Sequence, residues 1–408
     1  MLPIKNAIAD SSKKRNETKR LNKFQKLIFE NDRQRFHALQ ICLDNMDQKE
    51  AKTLIDNCIP GIRKWYESTS SEETVPQLEN IQVKALCRLW GGMGYVYSVS
   101  LSDSSIISGN FREVIIKRVS SQSRKRQSFG DKRKADSYIC EANFYENLAP
   151  YLIKSKGLHI PRPFLIEREY KTTGSTKITI CMEKIYGSVR SVDRNETRAV
   201  LQWLATLHAA TWGAKADEAV AKHGLQPTGT YWYLDTRPDE HASMRNSGWQ
   251  GRLKLAAKAI DERLKRDKMQ CCVHGDAKDA NMLFSCDEDE SLSVSMYDFQ
   301  YCGKSPPTKD LAYFLCVAAY DNDQEHVKYY HKELIARLDS DCDYQPTLDE
   351  LNQSLLLAYC DWCRFMCGWG FWGISIEDHV ISVLDRLDGG QSLGSADAYH
   401  EAVQREFG

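Results

Sequence analysis

The sequence contains no run of apolar residues long enough to cross a membrane. A transmembrane helix needs about 20 predominantly apolar residues, and charged or polar residues interrupt every apolar stretch of this chain before that length. The basic region between Lys13 and Lys26 also lacks the apolar core of a signal peptide. We therefore expect a cytoplasmic protein that has no membrane partner.

An excess of either charge is also missing. Lys and Arg together number 55, and Asp and Glu together number 56. There is therefore no overall positive field to draw the chain onto nucleic acid, and we expect no nucleic-acid partner. The basic residues 13–26 are interpreted as a solvated helix face, with contact to a phosphate-rich partner as the alternative.

Cysteine is frequent, but the pattern of a secreted disulfide scaffold is absent. The 14 cysteines are spread through a long chain, which favours reduced thiols packed in the core of a cytosolic protein. Cys360, Cys363 and Cys367 recur at spacings that place them on one helical face, which favours a packed stripe over a zinc site. Cys271 and Cys272 lie in an apolar, strand-like run and are interpreted in the same way.

The predicted secondary structure changes twice along the chain, and no internal repeat is present. Helical periodicity dominates residues 1–80, up to a polar linker at 68–77. A strand-rich segment follows at 81–185, and a mainly helical one at 186–408, interrupted by two short strand signals near 271–300. We therefore expect an N-terminal helical extension, a strand-rich lobe and a helical lobe.

Within the strand-rich segment, short runs of β-branched and aromatic residues alternate with polar breaks. These runs predict strands at 83–89, 95–101, 114–119 and 177–182. A basic loop is expected at 120–134 and one helix at 135–152.

Gly91, Gly92 and Gly94 lie between the first two predicted strands. Glycines allow backbone amides to wrap around phosphate oxygens. The segment lacks the Gly-Lys-Ser/Thr of a P-loop and the prompt helix of a Rossmann turn. A strand, a glycine turn and a strand are what a kinase-type phosphate cover requires, with an ordinary hairpin turn as the alternative.

Lys117 lies among β-branched residues in the third predicted strand. An ammonium group in such a setting needs a partner. In a kinase this lysine holds nucleotide phosphates and is fixed by a carboxylate from a helix. Glu141 is the natural partner, with Glu146 as the alternative, and a solvent-facing lysine on an edge strand is the other explanation.

The segment His274-Gly275-Asp276, followed by Asn281, is the strongest pattern in the sequence. Phosphoryl transfer needs a carboxylate to orient the attacking hydroxyl and accept its proton. It also needs oxygen ligands for Mg²⁺. Asp276 and Asn281 lie on one loop and can point at the same phosphate, and Lys278 can neutralise charge on the transferring group.

Two further aspartates complete the pattern. Asp298 ends a predicted strand and is followed by Phe299, which places it to bridge Mg²⁺ to the phosphates. Asp310 opens a predicted helix, where an acid is favourable as a cap. We expect Asp310 to support the site and not to take part in the chemistry.

Taken together, these residues resemble the protein-kinase-like superfamily. The resemblance is to its aminoglycoside phosphotransferase/choline kinase branch and, within that branch, to the ecdysteroid-kinase-like proteins. It covers about residues 81–375 and is most specific at 274–284, 298–300 and 310–314, with 204–210 resembling the helix that follows the connector.

The resemblance implies an α+β, bilobal fold with a small antiparallel sheet and one helix in the N-terminal lobe and a larger helical C-terminal lobe. It also implies a kinase that uses ATP and Mg²⁺ to phosphorylate a small-molecule alcohol. Asp276 would be the catalytic base, assisted by Lys278, and Asn281 and Asp298 would hold the metal. The nucleotide would contact Gly91, Gly92, Gly94, Lys117 (positioned by Glu141), Met182, Glu183 and Ile185.

Two departures favour a metabolite kinase over a protein kinase. Asp298 is followed by Phe-Gln instead of Phe-Gly, and no Ala-Pro-Glu occurs downstream. A protein serine/threonine kinase is the alternative enzyme, supported by Lys278, two residues after Asp276. A pseudokinase scaffold that binds partners through the basic N-terminal helices is the alternative from another class.

Aromatic residues mark two candidate acceptor-binding segments, 231–235 and 362–372. Aromatic walls suit a sterol-like or a cationic acceptor. The helical spacing of Trp362, Phe365 and Trp369 favours ordinary core packing over an acceptor site. No run of acids marks a site for a polycation of the aminoglycoside type.

Overall fold

The computed structural model describes residues 46–66, 81–89, 92–101, 113–121, 128–170, 175–286 and 291–408. Residues Gln48–Gly408 form one unit. The helical pattern predicted for residues 1–45, the linker at 68–77 and Gly91 lie outside the described residues. The domain boundary predicted at residue 80 therefore stays a prediction.

A five-stranded antiparallel sheet forms the N-terminal part of this unit, in the order β1-β2-β3-β5-β4. Its strands are β1 (Ile81–Arg88), β2 (Gly94–Leu101), β3 (Glu113–Ser120), β4 (Pro163–Tyr170) and β5 (Thr176–Glu183). The strands predicted near 83, 95, 114 and 177 are present, but β4 was missed. Its many charged residues and its initial proline fit an edge strand, which lacks the apolar alternation of an inner one.

Helix α1 (Gln48–Tyr66) packs on this sheet through an apolar face that includes Ile55 and Ile62. Gly61 lies so close to β4 that a Cβ there would overlap the carbonyl oxygen of Phe164. The indole of Trp65 donates a hydrogen bond to the carbonyl of Pro163 over 2.8 Å. The helix therefore belongs to the packing of the sheet and covers its outer strand.

Helix α2 (Phe129–Asn143) follows β3 and begins six residues earlier than the sequence predicted. Ser128 and Asp131 form a reciprocal capping box that fixes this start. Lys132, Arg133 and Lys134 are consequently helical, and the prediction of a loop there was wrong. One π-helical turn, Phe144–Leu148, separates α2 from α3 (Ala149–Lys156).

The C-terminal part is mainly helical. Its helices are α4 (Arg194–Ala210), α5 (Ala214–His223), α6 (Pro238–Ser243), α7 (Gly248–Lys265), α8 (Thr308–Val317), α9 (Gln324–Ile335), α10 (Leu348–Trp369), α11 (Glu377–Asp388) and α12 (Ala396–Phe407). Two antiparallel strand pairs lie among them: β6 (Cys271–Val273) with β9 (Gly303–Ser305), and β7 (Met282–Cys286) with β8 (Leu292–Met296). The expected α+β, bilobal kinase-like fold is confirmed.

One continuous apolar core runs through both parts. Phe144, from the turn after α2, stacks on Phe299 with ring centroids 3.8 Å apart. Phe299 also contacts His274, with centroids 4.7 Å apart. These contacts therefore fix the end of α2 relative to the loops that carry His274 and Phe299. None of the helices described is both long and apolar enough to span a bilayer.

Candidate active site

Lys117 joins two carboxylates that are distant in sequence. It lies on β3, between β2 and β5, and its side chain is buried, so the alternative of an exposed edge-strand lysine was wrong. Its Nζ lies 2.6 Å from Oε2 of Glu141 on α2 and 2.7 Å from Oδ1 of Asp298. Glu146, the other candidate, instead pairs with Arg168 at 2.8 Å.

The charges in this cluster stabilise one another. Burial alone lowers the pKa of Lys117, but the carboxylates of Asp298 and Glu141 outweigh burial and the net shift is upward. Burial raises the pKa of Asp298, and the ammonium of Lys117 reverses that effect, so the net shift is downward. Burial raises the pKa of Glu141, against the opposing effect of Lys117. A charged Lys117 and an ionised Asp298 therefore face the same space.

The loop that carries Asp276 is fixed by Asp310 at the start of α8. The buried carboxylate of Asp310 accepts the amide of His274 at 2.6 Å and the amide of Gly275 at 2.9 Å. It also lies 3.2 Å from Nε2 of His208 on α4. We expected Asp310 to support the site, and its contacts place it against the backbone of this loop.

Gly275 has a conformation that requires glycine. Its φ is +83°, and a Cβ would overlap the carbonyl oxygen of Tyr301 and lie 2.9 Å from the amide nitrogen of Thr230. His274 is held by its ring: Nε2 lies 3.1 Å from the carbonyl oxygen of Tyr297. Burial lowers the pKa of His274, which keeps the ring neutral with its proton on Nε2.

Three donors surround the carboxylate of Asp276. The hydroxyl of Tyr313 donates to Oδ1 over 3.0 Å. Nζ of Lys278 lies 2.8 Å from Oδ2, and Nδ2 of Asn281 lies 3.0 Å from the same oxygen. Burial and the nearby Asp276 raise the pKa of Tyr313 well above its usual value, so it remains a neutral donor. These three contacts fix the orientation of the Asp276 carboxylate.

Asp298 sits at a backbone position that side chains rarely adopt, with a φ of +68°. Buried Phe299 anchors the chain directly after it, against Phe144 and His274. The side chain of Gln300 donates a hydrogen bond to Oδ1 of Asp298. The packing of Phe299 thus turns Asp298 away from the core and into the cleft.

Asn281 and Asp298 fit the requirements of a magnesium ion. Asn281 donates to the backbone carbonyl and the carboxylate of Asp276 through its amide nitrogen, which leaves its oxygen for a ligand. Asp298 adds an ionised carboxylate. No group of three His, Cys, Asp or Glu side chains in the described ranges can hold a metal. Mg²⁺ is usually held by one or two protein oxygens together with substrate phosphates and water, so this pair suits it.

The cleft that these groups line has a volume of about 980 Å³. At one end its walls are apolar side chains of the sheet, the connector and β7. These are Leu89, Met93, Val96, Ile115, Met182, Ile185 and Leu283. Glu183, the last residue of β5, also borders the cleft, but its carboxylate turns outward and accepts from Tyr66 on α1 over 2.6 Å. The amide of Glu183 donates to the carbonyl of Arg162 over 2.9 Å, so the predicted contact of Glu183 with a nucleotide stays a prediction.

The turn between β1 and β2 is described from Gly92 onward. Gly92 has a φ of +69° and its amide donates to the carbonyl of Leu89 over 3.0 Å. A Cβ on Gly94 would overlap the carbonyl oxygen of Arg118 on the neighbouring strand. Strand packing alone therefore requires Gly94, and its predicted contact with phosphate stays a prediction.

Each of the two aromatic segments, 231–235 and 362–372, contributes some side chains to the core and others to the cleft. Trp232, Trp362 and Phe365 are buried, as the packing alternative predicted. Tyr231, Trp369 and Trp372 line the cleft. The thiols of Cys360 and Cys363 are also buried, so the interpretation of this stripe as core packing fits the structure.

Several residues at the cleft were not predicted from the sequence. Tyr313 lies one helical turn after Asp310, and this spacing could have indicated that both face the loop of Asp276. Arg133, Lys134 and Arg237 also line the cleft. No motif marks them. Arg237 lies more than 35 residues away from every predicted site residue, and Arg133 and Lys134 were assigned to a loop.

Comparison with known proteins was made for family, sequence and structure. A family model described as the phosphotransferase enzyme family matches residues 108–342, more than half of the chain. This range includes Lys117, Glu141, Asp276, Asn281 and Asp298. A search of curated proteins finds no match.

Similar solved structures include three kinases and transferases of low sequence identity. A microcompartment-associated aminopropanol kinase is 12% identical, with 88% of this chain and 98% of that chain covered and a TM-score of 0.44. The GDP and kanamycin complex of APH(2″)-IIia is 12% identical, with 79% and 91% covered and a TM-score of 0.43. The choline kinase LicA from Streptococcus pneumoniae is 14% identical, with 80% and 94% covered and a TM-score of 0.35.

The family match extends over the sheet, the loop of Asp276 and the segment of Asp298. It agrees with the resemblance inferred from the sequence motifs, and it supports an enzyme that transfers a phosphoryl group to an alcohol. The chain belongs to the phosphotransferase enzyme family.

Proposed function

We propose that this protein transfers the γ-phosphoryl group of ATP, bound with Mg²⁺, to a hydroxyl group of a small metabolite. The observation that carries the proposal is the convergence of Lys117, Glu141 and Asp298 on one cleft that Asp276 also lines. Lys117, held between two carboxylates, suits the phosphates, and Asp298 suits the metal. The separate carboxylate of Asp276 suits an attacking hydroxyl.

In this proposal the adenine lies between the apolar walls near Val96 and Leu283 and meets the backbone of the connector. Lys117 binds phosphate oxygens, and Asn281 and Asp298 hold the metal. Bound Mg²⁺ would neutralise charge on the phosphates. Lys278 lies beside Asp276, where its ammonium can stabilise charge on the transferring group.

Asp276 would act on the acceptor. The acceptor oxygen forms a bond to the γ-phosphorus, the bond from that phosphorus to the β,γ-bridging oxygen breaks, and ADP leaves with the electron pair. The proton of the hydroxyl passes to the carboxylate of Asp276. The donors Tyr313 and Asn281 keep that carboxylate aimed at the hydroxyl during this step.

The direct test is mass spectrometry of a metabolite extract incubated with the enzyme and Mg-ATP. We expect at least one alcohol to gain the mass of a phosphoryl group, and the Asp276→Asn variant to lose about 10²- to 10⁴-fold of this activity. The matched control is Asp279→Asn, an exposed acid on the same loop. Wild-type activity in Asp276→Asn, or no phosphorylated metabolite with the wild-type enzyme, would contradict the proposal.

The protein-kinase and scaffold alternatives have separate signatures. Phosphorylation of a peptide array without any metabolite product would favour a protein kinase. Absence of thermal stabilisation at millimolar Mg-ATP would favour a scaffold, because a bound nucleotide must stabilise the folded state. The resemblance to ecdysteroid-kinase-like proteins stays a prediction about the acceptor.

A further inference from the structure

Three basic side chains line the cleft beside Tyr231 and Tyr301. Arg133 and Lys134 come from the first turns of α2, and Arg237 comes from the residue before α6. Nζ of Lys134 lies 5.5 Å from the ring centroid of Tyr301, and the guanidinium of Arg237 lies 5.4 Å from that of Tyr231. The nucleotide site as described above uses none of these three groups.

Arg237 is a buried cation inside an aromatic box. Its guanidinium lies 4.9 Å from the ring centroid of Phe365 and 5.4 Å from those of Trp369 and Tyr231. Its Nε donates to the carbonyl of Tyr231 over 2.7 Å. Aromatic boxes of this kind suit a ligand cation, but here a cation of the protein itself occupies the box. The expectation of a cationic acceptor is therefore not favoured by the structure.

The local charge balance is positive. Two acids lie beside these three cations: Glu240, which pairs with Arg237 at 3.0 Å, and Asp131, which borders the cleft and caps α2 together with Ser128. Arg133 donates to the carbonyl of Thr236 over 2.5 Å. Within the ranges that the structure describes, neither Arg133 nor Lys134 forms an ion pair. Burial and the neighbouring charge of Arg133 lower the pKa of Arg237, so these guanidinium groups repel each other, and a bound anion would relieve the repulsion.

The basic cluster adjoins the reacting position through two tyrosines. The hydroxyl of Tyr313 contacts Asp276 at 3.0 Å and lies 3.2 Å from the hydroxyl of Tyr231. The ring of Tyr231 then lies against Arg237. A small molecule in this part of the cleft can thus place a hydroxyl at Asp276 and another group at the guanidinium groups.

We infer that the acceptor has a net negative charge, and that its carboxylate, phosphate or sulfate group binds Arg133 and Arg237 while its hydroxyl lies at Asp276. This inference rests on the proposed kinase function and names the chemical class of its substrate. Arginine suits the role because its planar guanidinium binds such anions with two parallel hydrogen bonds.

The first experiment separates a metabolite extract on ion exchangers into anionic, neutral and cationic fractions at pH 7. Each fraction is incubated with the full-length enzyme and Mg-ATP and analysed for a mass gain of one phosphoryl group. The inference predicts product from the anionic fraction. Product from the cationic or neutral fraction alone would overturn the inference and leave the kinase function intact, whereas no product from any fraction would overturn both.

The second experiment measures the steady-state kinetics of two variants on the active fraction. Arg237→Gln and the half-buried Arg133→Gln should each raise the KM for the acceptor by about 10- to 100-fold, as expected for the loss of a charge-assisted hydrogen bond. Their KM for ATP should stay unchanged, which excludes the nucleotide phosphates as the anion bound here. A raised KM for ATP with an unchanged KM for the acceptor would overturn the assignment.

The matched control is Lys132→Gln. Lys132 is exposed, precedes Arg133 on α2 and does not line the cleft. It undergoes the same loss of one positive charge, so it should leave both KM values unchanged. If Lys132→Gln raises the KM for the acceptor as much as Arg133→Gln does, the effect is a general field and the inference fails.

Discussion

The two ends of the cleft satisfy their charges in different ways. At the proposed nucleotide end Lys117 lies within 2.7 Å of both Glu141 and Asp298. At the acceptor end Arg133 contacts a carbonyl oxygen and Lys134 contacts the side chains of Gln300 and Tyr301. Arg133 and Lys134 are half-buried, and in the described part of the chain neither has an ion-pair partner.

The two ends therefore differ in whether their charges are balanced before a ligand binds. The nucleotide end carries its own counter-charges, so its geometry is set before any ligand binds. At the proposed acceptor end three cations lie beside two acids, which is why we infer that a ligand of opposite charge binds there. Variants at the two ends should consequently affect different kinetic constants.

Among the variants that compare the two ends of the cleft, the largest effect is expected for Lys117→Met. The variant removes the ammonium group that lies between Glu141 and Asp298, and with it the group that we propose binds phosphate. We expect kcat/KM for ATP to fall by about 10²- to 10³-fold, with circular dichroism used to confirm that the protein is folded. Lys132→Met, on the exposed side of α2, is the control. A folded Lys117→Met variant with wild-type kcat/KM for ATP would remove the basis of the nucleotide end.

A smaller effect, on stability as well as rate, is expected for Asp310→Asn. The carboxylate of Asp310 accepts from two backbone amides and faces His208. In asparagine one of the two oxygens becomes an NH₂ group, which would oppose at least one of these donors. We expect the free energy of unfolding to fall by about 3 kcal/mol, measured by urea denaturation, together with a lower kcat.

Asp321 provides the comparison for Asp310, because it pairs with His326 at 3.1 Å but is exposed. Asp321→Asn should lower the free energy of unfolding by less than about 1 kcal/mol. Equal losses of unfolding free energy in the two variants would show that the burial of Asp310 against the loop of Asp276 is not what stabilises that loop.

The smallest effect is expected for Trp369→Ala at the acceptor end. Trp369 is 56% exposed, so the free energy of unfolding should change by no more than about 0.5 kcal/mol. The loss of its contact with Arg237 should raise the KM for the acceptor about 2- to 10-fold and leave the KM for ATP unchanged. Phe371→Ala is the control, since Phe371 is equally exposed and does not line the cleft. A changed KM for ATP would contradict the separation of the two ends.

The sequence predicted the fold class and three residues that line the cleft, namely Lys117, Asp276 and Asp298. These residues are recognisable because each occurs in a short pattern: a lysine among β-branched residues, an aspartate after His-Gly, and an aspartate before a buried Phe. The alternatives for Lys117 and its partner were resolved by position, since β3 is an inner strand and Glu146 turns to Arg168.

The acceptor end was not predictable in the same way. The basic run around Arg133 was assigned to a loop, because the capping box of Ser128 and Asp131 was not recognised as a helix start. Arg237 reaches its aromatic box through contacts with Phe365 and Trp369, which lie more than 100 residues away in sequence. Contacts of this kind leave no periodic or local signal. Strand β4 was missed for a different reason, namely the charged composition of an edge strand.

The most direct measurement of the central claim is phosphoryl transfer by Asp276→Asn in a single turnover, with Mg-ATP affinity measured calorimetrically on the same sample. If Asp276 serves the acceptor and Lys117 with Asp298 serves the nucleotide, transfer should fall by at least about 10²-fold while the Kd for Mg-ATP stays within about twofold of wild type. Transfer at the wild-type rate, or a parallel loss of Mg-ATP binding, would contradict the account.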